Sequence, residues 1–439
     1  MSQKPLVILH GWSDHADSFI PLRTQLAQLL DLPIHTIILA NYISLDDQVT
    51  FHDLASAMHQ AWIDLKLPLS AQSVDMIVHS TGALICRHWL SQYFNANQTP
   101  IDHLLMLAPA NFGSFLAHKG RAFLGRLYKG LGHGQPFQVG ASLLEGLELG
   151  SDFIWALALK DRFGNANFYH AQGVKVTVLI GNQPYEGLAG VISVAGSDGT
   201  VQAAAANMNV SMIQSRIDIT TGHLRWEHCH AKGQTAFAVV NGFNHTSIVH
   251  PQGREGEHLL HLMAQALRVT SDNFGAWCQQ LDQHSIQSQQ QHMLVQLHDQ
   301  FQQPIKDYFL GLSAPGASHG DVAQHIHNHL IHSVHINTQQ PSRRCFDLDL
   351  SRWDDLMRSA FKVLHLAVHA EPVFETQTRG SFGYRTLDDQ HHAALSLSRP
   401  WLQALYRPGS TTFIDLQLKR SQQRQVFSLN RTINHHETI

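Results

Sequence analysis

Three side chains spaced far apart in this chain have the types needed for covalent acyl transfer. Val74-Asp75-Met76-Ile77-Val78-His79 is an apolar run that breaks at Ser80-Thr81-Gly82, and a helix-like stretch follows at once. A strand entering such a turn holds the serine oxygen clear of the backbone at the carboxyl end of a sheet. A serine hydroxyl is a weak nucleophile at neutral pH and needs a base to take its proton as it attacks. His245, in the loop Asn244-His245-Thr246-Ser247 after the apolar run Phe237–Asn241, is placed to be that base. Asp198, in Ala195-Gly196-Ser197-Asp198-Gly199-Thr200-Val201 after the run Val174–Ile180, would orient the imidazole and stabilise its cation. Each residue also has a plainer reading. Ser80 could be an ordinary turn residue, Asp-Gly is a common turn pair, and His245 competes with the rest of the 33 histidines.

The elements needed to position these groups are legible as alternating aliphatic runs and amphipathic stretches. Strands are expected at Pro5–His10, His35–Ala40, Val74–His79, His103–Ala108, Val174–Ile180 and Phe237–Asn241. Helical patterns lie between or after them at Phe19–Leu30, Thr50–Leu65, Ala83–Phe94 and Gly256–Val269. Aliphatic strands separated by helices imply an α/β fold with a mainly parallel sheet covered on both faces. Residues 110–173 interrupt the rhythm with a helical insertion in which Phe115, Leu116, Phe123, Leu124 and Leu127 are interleaved with Lys119, Arg121, Arg126 and Lys129. Such an insertion serves either as a lid with an apolar face toward lipid or as helices packed permanently on the sheet.

Beyond a glutamine-rich stretch around Asp282–His292, the pattern changes to short strands with turn signals, including Ile331–Asn337, Cys345–Leu350, Val363–Ala370, Thr411–Leu418 and Gln425–Leu429. The expected division is therefore a catalytic domain over 1–285, with the insertion at 110–173, and a β-rich accessory domain over 290–439. No catalytic constellation is visible in the second part.

The ordered motifs resemble those of the α/β-hydrolase superfamily, and within it the bacterial serine lipases and esterases. The resemblance rests on His10-Gly11-Trp12, His79-Ser80-Thr81-Gly82, Ser197-Asp198-Gly199-Thr200-Val201 and Asn244-His245-Thr246-Ser247-Ile248, with support from Leu107-Ala108-Pro109-Ala110-Asn111-Phe112-Gly113-Ser114, and covers about residues 5–270. It departs from the G-x-S-x-G elbow at Val78, where the first glycine would stand. It implies a Ser80–His245–Asp198 triad, an oxyanion hole made by the Trp12 and Thr81 amides, and substrate contacts from His10, Gly11, Phe112 and Phe115. The activity it implies is hydrolysis of acyl-chain lipid esters, as a lipase or phospholipase. The same scaffold also serves membrane-attacking effectors, with the C-terminal part for delivery or recognition, and acyltransferases or thioesterases.

Composition narrows the partners. Of 439 residues 44% are apolar and 15% charged, with a formal net charge of -4, so no basic field points to nucleic acid. The four cysteines have no paired spacing, and the alternating His325, His327 and His329 fit the general histidine richness better than a metal site. No cofactor or catalytic metal is expected, although a structural calcium ion is compatible with the resemblance. The expected partner is a lipid or other acyl ester, with membrane-surface contact through the lid; the sequence leaves the oligomeric state open. Neither a leader peptide nor a bilayer-spanning run is legible, so the default expectation is cytoplasmic, with leaderless export as an alternative.

Overall fold

The computed structural model describes residues 4–11, 19–43, 48–117, 140–185, 194–218, 220–221, 224–285, 288–306, 308–313, 330–351, 364–369, 384–386, 393–397, 401, 404–418 and 420–422. Its strands are β1 (Leu6–Leu9), β2 (Ile34–Ile37), β3 (Val74–His79), β4 (Ile101–Leu107), β5 (Lys175–Gly181), β6 (Ser211–Ile217), β7 (Leu224–His230) and β8 (Ala236–Val240). There follow β9 (Gln290–Asp299), β10 (Phe309–Ser313), β11 (Ile331–Ile336), β12 (Arg343–Asp349), β13 (Leu364–His369), β14 (Tyr384–Thr386), β15 (Ala393–Leu397), β16 (Thr411–Leu418) and β17 (Arg420–Gln422). The helices used below are α1 (Ile20–Leu30), α2 (Phe51–Asp64), α3 (Gly82–Tyr93), α4 (Ala141–Leu147), α5 (Asp152–Asp161), α6 (Ala203–Ala206), α7 (Gly253–Ala266) and α8 (Phe274–His284).

The first sheet is parallel throughout, in the order β2-β1-β3-β4-β5-β8. Successive side chains of a strand point to opposite faces, and the sequence supplies apolar residues at both. Val7, Leu9, Met76, Val78 and Met106 face one core with residues of α2, α3, α4 and α5. Leu6, Ile8, Ile77, Leu105 and Leu107 face the other, with α1, α7 and α8. The chain runs outward from β1 to β2, then returns to add β3 on the far side of β1. That reversal opens a crevice at the carboxyl ends of β1 and β3. His10 and Ser80 lie there, each directly following or one residue after its strand.

Local signals fix the helix entries. At α2, the Thr50 hydroxyl accepts from the Asp53 amide at 3.3 Å, and the Asp53 carboxylate accepts from the Thr50 amide at 2.9 Å. The Thr50 hydroxyl also holds the Asp53 carboxyl below its ordinary range. Thr50→Ala is expected to cost about 1 kcal/mol of stability, read as a lower midpoint in chemical denaturation at an unchanged slope.

The second sheet has the order β11-β12-β9-β16-β6-β7. Its last two strands come from within the span read from sequence as the catalytic domain. β6 pairs in parallel with β16, Thr412 opposite Ser211 through Asp415 opposite Gln214. The C-terminal sheet is thus completed by a hairpin inserted between β5 and β8, and an expected division at 285/290 leaves that hairpin out. One face of this sheet joins the first core: Phe413 packs edge-on to Phe112, Trp155 and Phe163 at ring-centroid distances of 5.5, 5.1 and 5.6 Å. Its other face closes a separate core with Val295, Phe346, Ile414 and Leu416. Smaller sheets join β10, β13 and β15, and β14 and β17.

The insertion resolves in part. α4 and α5 are packed into the shared core through Leu143, Leu147, Ile154, Trp155 and Leu157, so this portion is a permanent layer and not a cap. Residues 118–139, with the basic and apolar residues expected to form a lid, lie outside the described residues, as do Gln425–Leu429 and His325, His327 and His329. Among the described residues no helix is long and apolar enough to cross a membrane.

Candidate active site

The three groups meet. Ser80 Oγ lies 2.9 Å from His245 Nε2, and His245 Nδ1 lies 2.8 Å from Asp198 Oδ2. Since a carboxylate only accepts, the ring proton is on Nδ1, which leaves Nε2 free to accept from the serine hydroxyl. Asp198 and His245 are fully buried, and Ser80 is 5% exposed. The other carboxylate oxygen of Asp198 accepts from the Thr200 and Val201 amides at 2.9 and 2.8 Å. Those two bonds fix the carboxylate plane, and the His245 amide donates to the Asp198 carbonyl at 2.9 Å, joining the two loops directly.

The elbow is strained at Ser80. Ser80 has φ 54°, in the left-handed region that a residue with a Cβ enters at a cost. The turn is held by Ser80 N donating to Leu107 O at 3.1 Å and by α3 starting at Gly82. A Cβ on Gly82 would come within 3.1 Å of both the Leu9 and His10 carbonyl oxygens, so the second glycine of the motif relieves a tight approach to the backbone after β1. Val78 is not so constrained. It points into the core as an ordinary strand residue, wholly buried, which accounts for the departure from the usual pattern.

His79 donates from Nε2 to the His245 carbonyl at 2.9 Å, with the two rings 4.9 Å apart, and supports the base from beneath. His10 is 2% exposed; its Nδ1 donates to Gly11 O at 2.6 Å, and its ring lies 6.4 Å from Phe19. Thr81 directly precedes α3, so its amide is at a helix start beside the nucleophile. Trp12, the other expected oxyanion donor, lies outside the described residues. Phe112 and Phe115, expected at the substrate, instead belong to the core at 0% and 7% exposure. Phe112 is sandwiched between Phe413 and the Arg87 guanidinium, 5.1 Å from its ring. Of the competing histidines, His228 and His230 are on β7 in the second sheet, and His223 lies outside the described residues.

Sequence patterning missed a link between the acid loop and the second sheet. Gln202, at the end of the Asp198 loop, meets His292 Nε2 at 2.6 Å through its side-chain oxygen. His292 on β9 stands opposite Asp347 on β12, and their side chains are 3.9 Å apart. Only cross-strand register brings these residues together, so no local signal could have revealed them. Burial pushes the Asp347 carboxyl up to about 6 and the His292 imidazole down to about 4. With the native carboxyl titrating above its unfolded value of ~3.9, the folded state binds the extra proton between those pH values. The Asp347 contribution to stability therefore falls as pH rises from about 4 to about 6, while the lowered His292 contributes in the opposite sense over the same range. Asp347→Asn is expected to stabilise the protein by ~1–3 kcal/mol at pH 7.5 and to be near neutral at pH 4, measured by denaturation at each pH.

Among the described residues, Asp75, Asp102 and His103 could converge on a metal ion. Asp102 already receives Lys175 Nζ at 2.6 Å and Lys4 Nζ, so two ammonium groups supply the positive charge there.

A parallel sheet that carries a serine elbow, an aspartate loop and a histidine loop in that order is the α/β-hydrolase fold, here joined to a β-rich second layer. No family model matches the chain, and no curated protein matches it. Among solved structures, it is similar to phospholipase PlaB from Legionella pneumophila, with a TM-score of 0.80 and 24% identity over 98% of this chain and 97% of that one. The same phospholipase in complex with thio-NAD gives the same values. Lipase BlEst2 from Bacillus licheniformis in its mature form aligns at a TM-score of 0.39 and 16% identity, over 61% of this chain and 92% of that one.

Proposed function

We propose that the protein is a serine carboxylic ester hydrolase acting on acyl-chain lipid esters, as a lipase or phospholipase. The observation that carries this reading is the continuous chain of hydrogen bonds from Ser80 through His245 to Asp198. The full-length likeness to a phospholipase supports a lipid ester over a small soluble one.

In this reading His245 Nε2 takes the Ser80 proton as Oγ attacks the ester carbonyl, and Asp198 stabilises the imidazolium. The Thr81 amide, with that of Trp12, stabilises the oxyanion. His245 then protonates the leaving alcohol, and water admitted to the same base resolves the acyl-enzyme. The cycle uses water and no cofactor. Phe112 and Phe115 are enclosed in the core and are set aside as acyl-chain contacts. The effector reading with a separable delivery domain is disfavoured, because the second sheet contains β6 and β7 and shares a core with the hydrolase layer.

The reading is tested by fatty-acid release from phospholipid vesicles, alongside p-nitrophenyl esters of graded chain length and labelling by a serine-directed phosphonate. Release with a preference for longer chains, and label on Ser80, is the expected result. Labelling of Ser80 with turnover confined to short soluble esters would overturn the lipid assignment. Absence of both labelling and turnover would overturn the hydrolase assignment itself.

A further inference from the structure

Arg162, immediately after α5, is a buried cation whose charge is opposed only in part, by the neighbouring Asp161. It is fully buried, and although its Nε donates to Met208 O at 3.0 Å, neither terminal nitrogen has a hydrogen-bond partner among the described residues. Both Asp161 oxygens are engaged by Arg87, at 2.8 and 2.9 Å, and one of them also by the Tyr169 hydroxyl at 2.9 Å. The Tyr169 ring, 5.3 Å from the guanidinium carbon, offers only the face of an aromatic. A buried unpaired guanidinium is among the costliest groups a fold can contain, and such groups are normally paired.

Arg162 is part of the wall of a cavity of about 410 Å³, a size typical of small-ligand sites. Arg407 lines the same cavity, together with Asn209, His230, Thr235 and Ser410. Among the described residues its one carboxylate is that of Asp282, which is exposed and whose charge acts on Arg407. None of the triad residues lines it. Thr235 and Phe237 lie at the amino end of β8 and His245 follows the carboxyl end, so the cavity and the triad are at opposite ends of the sheet. Burial lowers both guanidinium groups, Arg162 to about 10, so each would gain from a negative partner.

We propose that this cavity is a binding site for a small phosphate- or carboxylate-bearing anion, held between Arg162 and Arg407 and separate from the catalytic centre. The planar fork of a guanidinium matches two oxygens of such an anion. Arg162 belongs to the hydrolase layer and Arg407 to the segment leading into β16, so the ligand bridges the two layers.

The test titrates the full-length protein with inorganic phosphate at constant ionic strength, following heat and melting temperature. Saturable binding with a melting temperature raised by several degrees is expected. Arg407→Gln, on a half-buried residue, should weaken it ~10-fold or more. Arg162→Met should abolish the phosphate-dependent rise, while its melting temperature without phosphate equals or exceeds that of the parent. A parallel arm uses phosphatidylglycerol vesicles and Ser80→Ala protein. Arginine-dependent binding to vesicles would identify a lipid headgroup as the source, and phosphate binding without it a soluble anion. No saturable response to either probe, or a response undiminished in both arginine variants, would overturn the site.

Discussion

Ser80→Ala is expected to lower ester turnover by ~10⁴–10⁶-fold, with the substrate concentration for half-maximal rate little changed. The loss is large because, in the proposed mechanism, the alcohol oxygen forms the covalent bond. Asp198→Asn should cost ~10⁴-fold for a different reason: an amide at that position can donate, so it favours the imidazole tautomer that cannot accept from Ser80. The two Asp198 bonds from Thr200 and Val201 amides make the contrast sharp, since the loop would keep its shape while the tautomer changes. Steady-state kinetics on a chromogenic ester measure both. A Ser80→Ala protein retaining more than a hundredth of the parent rate would exclude this serine as the nucleophile.

Asp161→Ala is expected to destabilise the protein by ~3–5 kcal/mol, the largest stability effect anticipated here. Its carboxylate takes two hydrogen bonds from Arg87, and both side chains are fully buried. Arg87 also donates to the Asn111 carbonyl at 2.7 Å, so one guanidinium ties α3, α5 and the segment after β4 together. Removing the acid would leave Arg87 and Arg162 as adjacent buried cations, with Tyr169 deprived of its acceptor. The paired change Arg87→Met with Asp161→Leu should cost less than Asp161→Ala alone, because the Arg87 charge is removed together with its partner. Equilibrium urea denaturation of the three variants decides it; equal losses for the single and paired changes would show that packing, and not charge, dominates.

The meeting of Ser80, His245 and Asp198 was legible because each follows a strand whose apolar run stands out, in a chain order with few alternatives. Ser80 in particular stands at a break from Val78 to Gly82 that a single strand–turn–helix transition explains. The parallel sheet was legible for the same reason: Val74–His79 and Ile101–Leu107 are apolar on both faces. The origin of the second sheet was not. β7 reads Leu-Arg-Trp-Glu-His-Cys-His, a half-exposed edge strand with little apolar signal, and β6 finds its partner 200 residues away in β16. Pairing over that distance leaves no local trace. Phe112 was misplaced because an aromatic next to an active-site loop can face either substrate or core, and only the position of Phe413 decides it.

The parallel pairing of β16 with β6 bears on the order in which the chain can mature during synthesis. β6 is made some 200 residues before its partner, and until β16 arrives the face of β9 and β6 that flanks it has no neighbour to fill the gap. His292, on β9, is seated by the same strand: its amide donates to the Ser410 carbonyl at 3.1 Å. Through Gln202, then, the acid loop gains its outer support only after residues near 411 have left the ribosome. A nascent hydrolase layer could collapse earlier, yet its aspartate would lack that brace, so full catalytic competence is delayed to the end of translation. Strand order thus makes the outer support of Asp198 a late event in synthesis.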